Sequence, residues 1–385
     1  MVFDLEMLSA DISLSWKKRP LGVWRYSELL PVRDPRTVIS LGEGGTRLYH
    51  CDRLGSAIGL KRLFVKNEGD NPTGSFKDRG MTVGVSKAIE LGMKYTICAS
   101  TGNTSASLAA YSAKAGLKCI VLIPEGKIAL GKIAQAIAYG ARIVAIKGGF
   151  DDTMRLVKDI CAVHPSVYLL NSINPHRLEG QKTIAFELVD QLKAVPDYVV
   201  VPVGNAGNIS AIWKGFKELY NLGMIDELPK MVGIQAEGAA PLVKAFKKGW
   251  KRVEPVIDPK TKASAIRIGH PVNWKKALRA VKESKGLFES VSDEEILRAQ
   301  WALASHEGIF IEPASAASIA GVIKLRDLGL LDGDELVVCI ATGNGLKDPK
   351  YVLDNYEVRI VHISAELHKL REYLMELELS GNLKI

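Results

Sequence analysis

Apolar residues recur along this chain in two alternating rhythms. Short β-branched runs predict strands at Arg62–Val65, Tyr95–Ala99, Lys118–Ile123, Arg142–Ile146, Val167–Leu169, Tyr198–Val203, Met231–Ala236 and Glu335–Ala341. Between them, apolar positions repeat every three to four residues, predicting helices at Phe76–Leu91, Thr104–Ala115, Leu130–Tyr139, Asp151–Val163, Leu178–Leu192 and Ile209–Leu222. Glycines punctuate many of the boundaries, as at Gly92, Gly116, Gly140 and Gly223. Strands alternating with helices over short connections indicate an α/β protein, with parallel sheets covered by helices on both faces.

The 385 residues exceed the roughly 100–200 of a usual domain, so two or three domains are expected. No linker rich in Pro, Gly and Ser separates them, so they must interleave closely. Leu367, Leu370, Leu374 and Leu377 fall at helical spacing in the tail, which is expected to dock on the body or on a second subunit.

Composition narrows the functional classes. The chain is 47% hydrophobic and 24% charged, as soluble globular proteins are. No apolar run approaches the ~20 residues of a membrane helix, and Asp4 and Glu6 stand where a secretory signal would be basic and then apolar. A cytoplasmic location and no membrane partner are therefore expected. The five cysteines are scattered, without a CxxC pair, which argues against a disulfide framework and a zinc site; no metal is expected. The net charge of +8 admits nucleic acid or small anions as partners. Its densest stretches, Lys244–Arg252 and Lys275–Lys285, fit solvated faces of amphipathic helices better than a nucleic-acid groove, and no nucleic acid is expected.

Four loops carry candidate chemistry. In the run from Asn71 to Gly80, Pro72 and Gly74 break the chain, and Ser75 with Asp78 forms a capping-box pattern. Lys77 then falls in the first helical turn, where the helix dipole disfavours a cation and depresses the amine pKa, as a nucleophilic lysine requires. Taken alone, the pattern fits a solvated lysine beside an ordinary cap even better. Ser100-Thr101-Gly102-Asn103-Thr104 follows a strand and opens a helix, which suits an anion or a plain polar turn. Gly204-Asn205-Ala206-Gly207-Asn208 lies between strand and helix without the endings of a P-loop or a dinucleotide turn. It suits a phosphate monoester on a small cofactor, or a simple tight turn. Ala341-Thr342-Gly343-Asn344-Gly345 closes the last strand with a hydroxyl and an amide, at the sheet edge where α/β folds bind ligands.

Together, the runs Ser75–Gly80, Gly204–Asn208, Leu41–Thr46 and Thr342–Pro349 resemble the tryptophan-synthase-β-like family of fold type II pyridoxal-phosphate enzymes, and within it the threonine synthases. The resemblance extends from Gly22-Val23-Trp24-Arg25-Tyr26 to Pro349. It implies two interleaved open parallel-sheet domains of three αβα layers: a large cofactor-binding domain of residues 1–80 and 172–385, and a small mobile domain of residues 81–171. It also implies pyridoxal 5′-phosphate as cofactor, a homodimer, and a small phosphorylated amino acid as substrate. The implied reaction turns O-phospho-L-homoserine and water into L-threonine and phosphate.

Site roles follow from the same resemblance. Lys77 would form the Schiff base, with Phe76 beside the cofactor ring. Asn103 would bond the ring's phenolic oxygen, Gly204, Asn205, Ala206, Gly207 and Asn208 would cradle its phosphate, and Thr342 would face its pyridine nitrogen. Ser100, Thr101 and Thr104 would help hold the substrate, with Asn171, Ser172 and Arg177 on its phosphate; Arg177 otherwise fits a surface ion pair. His270 and Asn344 depart from residues common in relatives. On the same scaffold the alternatives are a threonine or serine dehydratase and a sulfhydrylase. Outside enzymes, the alternative is a catalytically silent cofactor-binding protein.

Overall fold

The computed structural model describes residues 12–125, 130–250, 252–356 and 360–379. Asp4, Glu6 and Lys251 lie outside these residues. The chain divides into two compact units, Met1–Asp348 and Pro349–Ile385.

The first unit holds ten strands: β1 (Leu48–His50), β2 (Arg62–Asn67), β3 (Tyr95–Ala99), β4 (Lys118–Pro124), β5 (Arg142–Ile146), β6 (Val167–Leu169), β7 (Tyr198–Pro202), β8 (Lys230–Ala236), β9 (Leu287–Val291) and β10 (Leu336–Ala341). They form a six-stranded sheet in the order β1-β2-β10-β7-β8-β9 and a four-stranded sheet in the order β5-β4-β3-β6. Every pairing is parallel except that of β1 with β2. The smaller sheet is an insertion: the chain leaves the larger one after β2, builds β3 to β6, and returns at β7.

Both sheets are sandwiched by helices, and the two-residue strand period explains how. Val199, Val201, Val338 and Ile340 face one core, with helices Thr183–Leu192, Gly207–Asn221 and Trp274–Glu283. Val200, Val337 and Cys339 face the opposite core, with helices Asp52–Ile58, Asp293–Glu307 and Pro313–Asp327. In the smaller sheet, Cys98, Val121 and Ile123 face one side and Ile97, Ala99 and Leu122 the other. This is the expected α/β architecture of two three-layer, open parallel sheets.

Some local expectations change. The helix expected at Leu178–Leu192 is two, Pro175–Gln181 and Thr183–Leu192, parted at Lys182. The capping box at Ser75 does not form: Lys77–Glu90 starts after Phe76 with no side-chain cap. Instead, the Asp78 carboxylate accepts from the Thr73 N–H (2.7 Å), the Thr73 hydroxyl (2.6 Å) and the Ser107 hydroxyl (2.5 Å). Asp78 thus ties the lysine loop to helix Asn103–Lys114, which packs on the smaller sheet. The basic stretch at Lys275–Lys285 is amphipathic as expected, burying Ala277, Ala280 and Val281. In the second unit, helix Leu367–Leu379 forms where leucine spacing predicts it, with Leu367, Leu370 and Leu374 exposed.

Below the lysine loop lies a sealed ionic cluster. Arg79 donates to Glu68 (2.6 and 2.7 Å) and Glu187 (2.6 and 2.8 Å), and Lys66 donates to Glu187 at 2.7 Å. All four side chains are fully buried. Two cations face two anions, so no net charge is buried. Thr46, Thr183 and Gln191 take up remaining donors and acceptors. Replacing Arg79 with leucine leaves Glu68 in the core without a cation and Glu187 with Lys66 alone. Chemical denaturation should show a loss of about 3–5 kcal/mol, and failure of the variant to fold is the extreme of the same outcome.

Candidate active site

One cavity gathers residues from four strand ends. Lys77 follows β2, Asn103 follows β3, Gly204 to Asn208 follow β7, and Thr342 follows β10; all line it. Carboxyl ends of parallel strands are where open α/β sheets place their ligands. Backbone contacts stitch two of these loops together: Phe76 N–H donates to Thr342 O (3.0 Å) and Asn344 N–H to Gly74 O (2.9 Å).

Lys77 is the first residue of its helix, and its Nζ stands 3.8 Å from the centroid of the Phe76 ring. Its pKa falls to about 7, first through burial and then through the nearby charge of Arg177, with Glu312 acting in the opposite sense. The depressed lysine expected from the helix dipole is therefore present, with burial as its main cause. Near neutral pH about half of this amine is uncharged and able to attack a carbonyl.

Two features test whether a phosphorylated aldehyde fits. Asn208 lines the cavity at the start of helix Gly207–Asn221, and both its carboxamide atoms are buried without a partner among the described residues. Ala206 takes a left-handed turn (φ 61°) that brings the chain into this helix, whose first-turn N–H groups favour an anion. Arg177 also lines the cavity, 1% exposed, donating through Nη1 to Leu170 O at 3.0 Å. Its Nε has no partner, and among the described residues no carboxylate pairs with it. Burial lowers its pKa to about 10. The surface ion pair considered for Arg177 is thus absent. A neutral amine beside unsatisfied donors fits a group bearing both an aldehyde and a phosphate.

The remaining expected residues are spread around this centre. Ser172 lines the cavity, and its carbonyl accepts from Asn273 Nδ2 at 3.2 Å. The Asn171 side chain is held by the Ala99 backbone, donating to O and accepting from N–H, each at 3.0 Å. Ser100, Thr101, Thr104 and Asn171 stand outside the lining. Thr342 Oγ1 is 2.9 Å from Ser315 Oγ, which also accepts from Gly343 N–H. His270 is exposed, and Asn344 caps the following turn by accepting from Leu346 N–H at 2.9 Å. Among the lining or supporting residues that the sequence motifs do not mark are Gln181, Glu312 and Ser315. The signal for Glu312 is faint: a lone acid between the apolar run Ile309–Ile311 and the helix-starting Pro313.

Comparison with known proteins decides the kinship. The family described as pyridoxal-phosphate dependent enzyme matches residues 39–343. A threonine synthase of Methanocaldococcus jannaschii is 59% identical over 98% of this chain and 93% of the relative. One of Methanosarcina acetivorans is 57% identical over 97% and 91%. The chain belongs to the pyridoxal-phosphate-dependent enzymes, in their threonine synthase branch. Pyridoxal phosphate is accordingly its cofactor. Among solved structures, maize serine racemase superposes with a TM-score of 0.68 at 20% identity, covering 88% of this chain and 94% of its own, a likeness of fold.

In this family the Lys77 amine should titrate unusually early. In cofactor-free protein, acetylation at Lys77 followed by mass spectrometry should rise with pH around a midpoint of about 7. An ordinary lysine has a pKa near 10.4. Arg177→Met removes a repelling cation and should move the midpoint upward; an unchanged midpoint would refute the electrostatic coupling.

Proposed function

We propose that this chain acts as a threonine synthase, converting O-phospho-L-homoserine and water to L-threonine and phosphate. Arg177 carries the reading: a buried guanidinium with no counter-ion among the described residues, in the cavity of a lysine whose pKa is depressed, calls for an anion. The cradle of Gly204 to Asn208 serves the cofactor's phosphate, leaving Arg177 and Ser172 for the substrate's phosphate. A planar guanidinium fork suits that group.

Bound in the cavity, pyridoxal phosphate supplies an electron sink for charge left at the substrate's α-carbon. The protein does the rest. Lys77 would hold the cofactor covalently, and Phe76 and Asn103, which line the same cavity, would hold its ring and its phenolic oxygen. The free Lys77 amine would remove the substrate's α-proton and then move protons at Cβ and Cγ. Thr342, steadied by Ser315, would offer the pyridine nitrogen a hydroxyl in place of an acid, which would favour elimination. Phosphate leaves from Cγ and water adds at Cβ. Residues 81–171 form the small domain, which closes to bring Ser100, Thr101 and Thr104 onto the substrate, with Asn171 bordering the phosphate.

Incubation with O-phosphohomoserine should yield threonine and phosphate in equal amounts. Lys77→Ala should abolish both, and Arg177→Ala should lower kcat/KM by about 100-fold, the loss of one or two charge-assisted hydrogen bonds. Phosphate without threonine, or an Arg177→Ala variant with full kcat/KM, would overturn the assignment.

We also propose a cytoplasmic homodimer. Five free cysteines, four of them buried, support a reducing compartment. Exposed Leu367, Leu370 and Leu374 support a second copy as their cover. Light scattering should give about twice the chain mass of 41.9 kDa, and a monomer at micromolar concentration would reject the dimer.

A further inference from the structure

Glu312 is a buried carboxylate that none of these steps uses. It directly precedes helix Pro313–Asp327 on the larger sheet, is 5% exposed and lines the cavity. Both its oxygens accept from Asn103 Nδ2, at 3.1 and 3.0 Å. Asn103 opens the helix Asn103–Lys114 beside the smaller sheet, so the contact bridges the two layers. The opposite wall leaves space for the carboxylate: a Cβ at Gly343 would stand 2.7 Å from Glu312 Oε1. The Glu312 N–H donates to Gly343 O at 3.0 Å, fixing its backbone to the Thr342 loop.

A carboxamide has two ends of nearly the same shape and opposite hydrogen-bonding sense. A hydroxyl or a second amide beside it would accept either orientation. An ionised carboxylate only accepts, so it selects the end that donates. Burial raises the Glu312 pKa, while the Asn103 bond and the charges of Lys347 and Lys77 favour the ionised form.

We propose that Glu312 is a positioning residue that locks the Asn103 carboxamide with Nδ2 toward its own oxygens, and so determines which Asn103 atoms meet the cofactor. The proposal rests on the reading of Asn103 as a cofactor-binding residue. Glu312→Gln tests it with little change of volume. Glutamine can donate to Asn103 Oδ1 as well as accept from Nδ2, so both orientations become available.

The measurement is the dissociation constant of cofactor-free protein for pyridoxal 5′-phosphate by equilibrium dialysis, beside thermal unfolding of the same proteins. Glu312→Gln should weaken binding about tenfold, the scale of one misdirected hydrogen bond, without lowering the unfolding temperature of the cofactor-free form. Asn103→Ala should weaken it similarly, and the double variant should bind no worse than Asn103→Ala alone. Wild-type affinity in Glu312→Gln, or additive losses in the double variant, would overturn the positioning role and leave Asn103 as a cofactor contact. Unchanged affinity in Asn103→Ala would overturn both.

Discussion

The structure depends on the way Arg79 is enclosed. Its guanidinium joins Glu68 at the end of β2 to Glu187 on helix Thr183–Leu192, while Lys66 joins the same Glu187 from inside β2. Arg79 lies two residues beyond Lys77. A side chain clamped on both edges within a dry core leaves the preceding helical turn little freedom, so the position of Lys77 is set from below. The cluster therefore converts burial of charge, unfavourable for each ion alone, into directional rigidity where the reactive amine needs it.

The same economy of position extends through the cavity. Asp78 anchors the lysine loop to Ser107, Asn171 pins the end of β3 at Ala99, and Ser315 steadies Thr342. Several of the residues assigned to chemistry or their loops are thus held by a polar neighbour. Among the described residues Arg177, Gln181 and Asn208 line the cavity with buried side-chain atoms left unsatisfied, and an incoming anion would complete the donors, Arg177 Nε and Asn208 Nδ2.

Much of this was legible in the sequence because it is local or periodic. Strands buried on two faces announce themselves as apolar runs, and eight of the ten were visible that way. The three-residue β1 is too short to show a period, and β9 carries Glu289 and Ser290 in the middle of its run. The break at Lys182 has no glycine or proline; it reflects a buried lysine that reaches Glu179 and the carbonyl of Leu29. Lys77, Asn103, the Gly204–Asn208 loop and Thr342 were found through motifs, and the structure brings them to one cavity. The partners that orient them were not, because Glu312 meets Asn103 across 209 residues of chain and Asp78 meets Ser107 across 29. Such pairs leave no spacing to read. At the Ser75 cap, Asp78 is engaged instead by Thr73, five residues earlier, and by Ser107, 29 residues on.

The insertion of the smaller sheet also has a consequence for the order of synthesis. β10 pairs with both β2 and β7, so the larger sheet cannot close until residue 341 has been made. The lysine loop is pinned to Gly343 and Asn344 by the last turn to emerge from that strand. Because the low pKa of Lys77 comes mainly from burial, the nascent chain carries an ordinary protonated lysine until then. The amine therefore takes on its lowered pKa only once β10 and the turn after it have joined the fold, so that the nucleophile and the pocket around it arise together.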